Sequence, residues 1–262
     1  MPSRRRRRRS QPSPQRSDAV PIQLPEADAI PLLESAEVIG GYRMPYGSNY
    51  TFMVHLDAGD GKCIRAIYKP RDGERPLYDY PSGTLYQREH ATFLVSRELG
   101  WPKVPYTLVR DGPYGIGSIQ MYIDCDPDIT YFSLVEENED ELAKFAVFDL
   151  IVNNGDRKAG HCLQDEDGDI WSIDHGLTFH PLFKLRTVMV EFWGKPVPDN
   201  LADDLQELHA TLQSPTENLP YILGDLIDTV EMRALIKRLE IVLEQGALPM
   251  LDPYRNVPWP WV

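Results

Sequence analysis

The feature that most constrains the fold is a set of three short apolar-rich segments, separated by turn residues, within residues 37–68. The segments span residues 37–42, 50–56 and 63–68, and the last two are rich in aromatic and β-branched residues. Turn residues fill positions 45–49 and 57–61 between them. Connections this short join antiparallel strands, because parallel strands need a crossover of about a dozen residues or more. The pattern therefore predicts an antiparallel meander.

The rest of the chain adds one helix, two more strands and then a mostly helical half. Residues 84–99 have apolar positions at helical spacing, with Thr84 as a possible cap and Gly100 as a stop. Strands are predicted at residues 104–109 and 118–123. Further helices are predicted at 139–152, 199–212, 220–230 and 230–245, and two short strands at 161–164 and 170–173. The expected fold class is α+β.

Charge is divided unequally along the chain. Its 262 residues have a net charge of −13, but residues 1–16 hold seven arginines and no acidic residue, so the remainder carries −20. We expect residues 1–30 to form a disordered Arg/Pro-rich arm. Its arginine run is typical of a solvated tail, or of a segment before the start codon that the cell uses, and less often of a site for nucleic acid or anionic lipid. The acidic remainder argues against a specific nucleic-acid binder.

Cysteine content and hydropathy indicate the compartment. Cys63, Cys125 and Cys162 are too few and too scattered for a disulfide framework, and no secretory signal precedes them. No apolar run reaches the about 18 residues that span a membrane. We therefore expect a protein of the reducing cytoplasm with no transmembrane segment.

Several familiar sites are excluded by their spacing. The pair Gly61-Lys62 lacks the glycine pattern of a P-loop, and residues 112–117 do not form a dinucleotide-binding GxGxxG. Residues 165–169 resemble a calcium loop, but Gly168 comes two positions early. Zinc-ligand spacing and a GxSxG nucleophile elbow are also missing from the sequence.

One ordered set of polar residues remains. Gly40 and Gly41 lie on the first strand, and Gly47, Ser48 and Asn49 lie between the first and second. Lys69 ends the third strand, Glu89 lies in the next helix, Asp156 lies in the loop Asn-Asn-Gly-Asp-Arg-Lys-Ala-Gly-His, and Asp174 ends a strand in Ile-Asp-His-Gly.

This order resembles that of the protein-kinase-like superfamily, and is most similar to its phosphatidylinositol 3-/4-kinase branch, especially type II phosphatidylinositol 4-kinases, and to HipA-like kinases. The resemblance rests on Gly155-Asp156-Arg157 and Ile173-Asp174-His175-Gly176 and extends from about residue 37 to 179. It implies a two-lobed kinase-like fold. The N-lobe would span residues 31–123, with an antiparallel sheet and one helix, and the helical C-lobe residues 124–262.

The resemblance also implies an ATP site. Lys69 would bind the phosphates and Glu89 would orient it, although each residue alone reads as a solvated surface charge and Glu98 is a rival to Glu89. Ser48 and Asn49 would lie over the phosphates. Gln120, Met121, Tyr122 and Ile123 would form the hinge against which the adenine packs, while also serving as an ordinary core strand.

Catalysis and metal binding are assigned to the second half. Asp156 would be the base for the acceptor hydroxyl, and Arg157, grouped with it as a catalytic residue, would brace the loop by ion pairing. Asp174 and His161 would hold Mg²⁺ or Mn²⁺. The family's usual residue at position 161 is Asn, and His is a softer ligand that suits Mn²⁺ or Zn²⁺ better than Mg²⁺. Asn153, Asn154 or Asp169 are substitutes that the sequence leaves open. His175 is expected to pack or to hydrogen-bond within the loop.

The leading functional prediction is an ATP-dependent phosphotransferase whose acceptor is a protein hydroxyl or a small molecule rather than a lipid. One alternative is a nucleotide-binding pseudokinase that acts as a scaffold, which His161 favours. The other is a protein nucleotidyltransferase on a kinase fold, which would use the same residues.

Overall fold

A computed structural model describes residues 18–45 and 47–262. Strands predominate in the first half of the chain and helices in the second half. In chain order they are β1 (Val20–Pro21), α1 (Glu26–Ser35), β2 (Val38–Arg43), β3 (Phe52–Gly59), β4 (Lys62–Pro70), α2 (Leu85–Leu99), β5 (Thr107–Gly112), β6 (Gly115–Met121), α3 (Tyr131–Leu134), α4 (Glu139–Val152), β7 (Cys162–Gln164), β8 (Ile170–Ser172), α5 (Asp199–Gln213), α6 (Leu219–Gly224) and α7 (Thr229–Gln245).

The first half forms the predicted antiparallel sheet, in the order β2-β3-β4-β6-β5, with β1 parallel to β4. A tight turn joins β3 to β4, and Asp60 and Gly61 both have positive φ there, at 50° and 70°. Turns of this hand match the right-handed twist of paired strands. Gly41 lies where a Cβ would come within 2.3 Å of the Met53 carbonyl oxygen, so the close approach of β2 to β3 requires glycine.

The outer face of this sheet is covered by α1. Alternate residues of β3 and β4, among them Val54, Leu56 and Ala66, are buried there against Ala29 and Leu33 of the helix. The other face carries Lys69 and turns towards the helical half. Period-two alternation thus assigns one face to packing and the other to the cleft between the lobes.

The first 30 residues differ in part from expectation. Residues 18–30, expected to be disordered, contain β1 and the first half of α1, whereas residues 1–17, with all seven arginines of the expected arm, lie outside the described residues. Pro31 lies inside α1, a position that normally opposes a helix. Burial of Ala29 and Leu33 against the sheet offsets that cost.

The helical half packs around one core, to which α2 contributes its apolar face, so the largest core crosses the boundary predicted at residue 123. Helix α5 buries Leu201, Leu205, Leu208 and Leu212 at helical spacing. The helix expected at 220–230 is shorter, because α6 ends at Gly224 and Asp228 caps α7. None of the helices in the described ranges is long and apolar enough to cross a membrane.

A buried ion pair joins α2 to α7. Arg88 is 1% exposed and donates to Glu231, which is 4% exposed, and to the Thr178 carbonyl at 2.7 Å. Glu231 also accepts the Asp228 amide at 2.9 Å, at the start of α7. The helix that carries Glu89 is therefore anchored to the C-terminal half.

We expect Arg88→Met to lower the free energy of unfolding by about 3–5 kcal/mol, because it leaves the Glu231 carboxylate buried without its cation. Denaturant unfolding measures this loss. Lys237→Met, which removes an exposed ion pair with Glu240, is the control and should leave the value close to that of the wild type. Equal effects of the two variants would contradict the assignment.

Candidate active site

The hairpin of β7 and β8 brings His161 and Asp174 together. Cys162 pairs with Ser172, and the Ile173 amide donates to the His161 carbonyl at 3.1 Å, so both residues lie at the open end of the hairpin. Asp174 has a φ of 61°, a left-handed conformation that Asp adopts more readily than most residues. Its side chain is 48% exposed. The turn thus presents a carboxylate to the cleft.

Lys69 links this turn to the sheet and to α2. Its ammonium group donates to Glu89 Oε1 and, at 2.9 Å, to Asp174 Oδ1. Glu89 is 3% exposed, and its other oxygen accepts the His175 amide at 3.0 Å. Glu98 is exposed instead. Three elements that are distant in sequence therefore meet at one ammonium group.

The charges of this cluster stabilise one another. Burial alone would lower the pKa of Lys69, but the carboxylates of Asp174 and Glu89 outweigh it and hold that pKa above its usual value. Lys69 lowers the pKa of Asp174 far below the usual range. Burial raises the pKa of Glu89 against the opposing charge of Lys69. At neutral pH Lys69 is a cation and Asp174 an anion.

Asp156 lies in the polar loop after α4, beside Lys158. Its carboxylate is 3.4 Å from the Lys158 ammonium group and its side chain is 33% exposed. Burial raises the pKa of Asp156, and Lys158 partly opposes that rise. The Asp156 amide donates to Asn154 Oδ1 at 3.0 Å, which holds the residue within the loop. Asp156 is thus a partly buried, accessible carboxylate with a raised pKa, which suits a proton acceptor.

Arg157, which we grouped with Asp156 as catalytic, is fully buried and is a positioning residue. Its guanidinium group donates to both oxygens of Asp149 at 2.7 and 2.8 Å, and to the carbonyl oxygens of His161 and Ile173 at 3.0 Å. It also lies 2.7 Å from Ser172 Oγ and 2.9 Å from His175 Nε2. Acceptors around the whole guanidinium group leave it no contact with the cleft.

His161 accepts one hydrogen bond, and this bond defines its tautomer. Nδ1 accepts the Lys158 amide at 3.3 Å, while Nε2 lies 3.3 Å from Asp174 Oδ2. Burial lowers the pKa of His161 to about 4, so the ring is neutral and its proton is on Nε2. In this arrangement the Nε2–H group lies beside the Asp174 carboxylate. The predicted role as a metal ligand would require the other tautomer.

The other residues considered as metal ligands are committed elsewhere. The side-chain amide of Asn153 donates to the carbonyls of His180 and Leu182. The side-chain amide of Asn154 donates to the Asp149 carboxylate. Asp169 pairs with Lys103 at the turn end of the hairpin. The described residues contain no cluster of three or more His, Cys, Asp or Glu placed to hold a metal. Asp174 still suits Mg²⁺ in chemistry, because Mg²⁺ takes one or two carboxylates together with phosphate oxygens.

The predicted nucleotide-contacting residues fall into two groups. Gln120 and Met121 lie within β6, where the Gln120 side chain donates to Thr107 Oγ1 and the Met121 amide to the Tyr106 carbonyl. Of the four hinge residues, only Tyr122 and Ile123 follow the strand. Ser48 is exposed in the turn between β2 and β3, and Asn49 accepts the Arg75 amide at 2.7 Å. The structure brings Lys69 into contact with Glu89 and Asp174, and His161 lies beside Asp174.

Sequence reasoning missed Asp149, Ser172 and Lys158. Asp149 carried a signal, since it is a charged residue in the otherwise apolar end of α4. Lys158 is two residues from Asp156, but its role depends on the loop geometry. The C-terminal residues 258–262, which the sequence suggested would dock on the body, do so through the backbone: the Ala159 amide donates to the Trp261 carbonyl at 2.8 Å, while the Trp259 and Trp261 side chains are exposed.

Comparison with solved structures gives the class of fold. A structure of hydra Fam20 with sugar aligns with a TM-score of 0.54 at 14% identity, covering 82% of this chain and 87% of that one. A crystal structure of the Golgi casein kinase aligns with a TM-score of 0.48 at 14% identity, covering 87% and 76%. The fold is a two-lobed, protein-kinase-like fold, as predicted.

A sequence relative shows the family. The chain is 36% identical over 253 residues to Protein Rv2133c of Mycobacterium tuberculosis (strain ATCC 25618 / H37Rv), a match that covers 83% of this chain and 90% of that protein. The chain belongs to the same family as Protein Rv2133c. No family model matches the chain.

We expect Asp149→Asn to lower the free energy of unfolding by about 3–5 kcal/mol, because the Arg157 cation stays buried without its anion. Amide hydrogen exchange should rise at residues 156–161, which this pair holds in place. Denaturant unfolding and hydrogen exchange measure the two effects. Asp167→Asn, at an exposed carboxylate of the β7–β8 turn, is the control. Unchanged exchange in the loop would contradict the bracing role.

Proposed function

We propose that this protein is an ATP-dependent phosphotransferase that phosphorylates an alcohol group. The observation that carries the proposal is the Lys69 ammonium group held between Glu89 and Asp174, with Asp156 in the loop that Arg157 ties to the same turn. The kinase-like fold supports it, since phosphoryl transfer depends mainly on positioning and charge. The motifs Gly155-Asp156-Arg157 and Ile173-Asp174-His175-Gly176 support the phosphatidylinositol 3-/4-kinase-like type.

Each residue has one task in this mechanism. Lys69 binds the phosphates of ATP, and Glu89 keeps its ammonium group in place. Asp156 accepts the proton of the acceptor hydroxyl while the oxygen of that hydroxyl forms a bond to the γ-phosphorus. The bond from the γ-phosphorus to the bridging oxygen breaks, and ADP is released. Asp174 would hold Mg²⁺ or Mn²⁺, with His161 beside it. The bound metal supplies charge neutralisation for the phosphates.

The acceptor is proposed to be a protein hydroxyl or a small molecule rather than a lipid, because the acidic body would be repelled by an anionic membrane surface. We also propose the cytoplasm as its compartment, where Cys63, Cys125 and Cys162 would stay reduced; all three are free thiols in the structure.

Transfer from γ-labelled ATP is the test of the proposed function. With Mg²⁺ or Mn²⁺ we expect label to appear on protein, an added alcohol or water, and Asp156→Asn to reduce the rate by about 10²–10⁴-fold because the base is lost. Asp167→Asn is the matched control and should retain the wild-type rate.

Two outcomes would replace the proposal. Label transferred from the α-position instead would indicate a nucleotidyltransferase. ATP binding without transfer of either label would indicate the pseudokinase scaffold. The pseudokinase scaffold is favoured by one observation: Lys69 and His161 already lie beside the two oxygens of Asp174, the residue proposed to hold the metal.

The pH dependence of activity should report Asp156. A base works deprotonated, so kcat/KM falls as pH drops through its pKa, which burial holds above the usual value. Lys158→Met removes a charge that lowers this pKa, so the acidic limb should move to higher pH. Lys158→Arg and the distant Lys195→Met should leave it in place. A limb that stays fixed in Lys158→Met would exclude Asp156 as the titrating base.

A further inference from the structure

Arg186 lies beside Asp156 on the same face of the chain. Arg157 and Thr187 pair in a parallel bridge, and both side chains are buried. Asp156 and Arg186 each precede these residues by one position, so both side chains project to the opposite, solvent-facing side. The Arg186 amide donates to the Asn154 carbonyl and its carbonyl accepts the Arg157 amide, both at 2.9 Å. The backbone therefore holds Arg186 against the catalytic loop.

The Arg186 guanidinium group is exposed and has no ion-pair or hydrogen-bond partner among the described residues. Its charge acts on two neighbours: it helps to lower the pKa of Asp156 and that of the Tyr80 phenol, both of which burial raises. In a chain whose acidic residues outnumber the basic ones by 40 to 27, an unpaired arginine beside the proposed base is unusual.

A cavity of about 320 Å³ lies on the Tyr80 side of this loop and is lined by Arg71, Arg75 and Tyr80. The Tyr80 hydroxyl is buried without a hydrogen-bond partner, and a Cβ at Gly155 would lie 3.6 Å from it, so the cavity wall reaches the catalytic loop. Arg75 is exposed and its guanidinium group is unpaired within the described ranges.

The acidic residues of this region are only partly paired. One oxygen of Glu74 accepts the Tyr86 amide at the start of α2, while its other oxygen is buried without a partner. Asp79 pairs with Lys184 at 3.0 Å. Asp72 is exposed and lies 3.6 Å from Arg71. The two arginines without a carboxylate partner are therefore Arg75, on the cavity wall, and Arg186, beside Asp156.

We propose that Arg186 binds an anionic group of the acceptor, and that the acceptor is a small alcohol bearing a phosphate or carboxylate. This inference rests on the proposed phosphotransferase function. Arginine binds both groups in a planar, two-point geometry. The neighbouring cavity, whose lining residues include Tyr80 but not Arg186, has a volume in the range of small-molecule sites. The charge of −20 beyond residue 16 repels polyanionic macromolecules, which favours a small anion held locally.

The test measures binding of labelled inorganic phosphate, and separately of acetate, by equilibrium dialysis. The protein is loaded with Mg²⁺ and a non-hydrolysable ATP analogue, so that the nucleotide site is filled. We expect one saturable anion site, and a loss of affinity of about tenfold or more in Arg186→Gln. Arg186→Lys should lose less. Arg233→Gln, at an exposed arginine of α7, should match the wild type. The probe that binds more tightly identifies the anionic group.

Wild-type anion affinity in Arg186→Gln would overturn the inference, and the proposed function would stand if the analogue still binds. Failure of the wild-type protein to bind the analogue would count against the proposed function instead. The anion titrations are repeated without the analogue. The contribution of Arg186 to anion binding is therefore tested whether or not the analogue binds. Analogue affinity and thermal unfolding of each variant confirm that it is folded, which is expected for a change at an exposed side chain.

Discussion

The buried ion pair between Arg157 and Asp149 is the interaction on which the rest of the site depends. It joins the end of α4 to the loop that carries Asp156, and the same guanidinium group reaches the backbone on both sides of the β7–β8 hairpin. Such a pair adds little net stability, because burying two charges costs about as much as their attraction returns. Its effect is specificity: with all its donors matched, the loop and the Asp174 turn keep one relative position.

Three further ion pairs extend this arrangement across the cleft. Lys69 connects β4 to Glu89 of α2 and to Asp174, and Arg88, the residue beside Glu89, anchors α2 to α7. A shift of α2 away from the sheet would therefore break a buried charge pair as well as the contact with Lys69. Removing one partner of a buried pair costs about 3–5 kcal/mol, so the assembled site is the stable state of the fold.

The sequence predicts what local patterns encode. Short turns predicted the antiparallel sheet, and the ordered resemblance to kinase-like sequences selected Lys69, Glu89, Asp156 and Asp174, although their catalytic roles remain predictions. Local patterns do not predict ion pairs between residues that are distant in the chain, such as Arg88 and Glu231, which are 143 residues apart. Helix α1 was missed because Pro31 opposes a helix locally, and only burial of Leu33 against the sheet makes it favourable. The hydrogen bond from the Met121 amide to the Tyr106 carbonyl likewise depends on the pairing of strands and is not visible in the sequence.

The same ion pairs determine how an acidic chain would bind a polyanion. Lys69 is shared by two carboxylates, Lys158 lies beside Asp156, and Arg157 is buried against Asp149. Each of these three cations is thus already balanced by at least one anion. Bound as proposed, ATP would bring further negative charge into this neutralised cluster, and the paired groups alone would not compensate it. A divalent cation at Asp174 would supply the missing positive charge, so the proposed function implies a divalent-metal requirement that comes from the pairing of the cleft lysines rather than from the net charge of the chain.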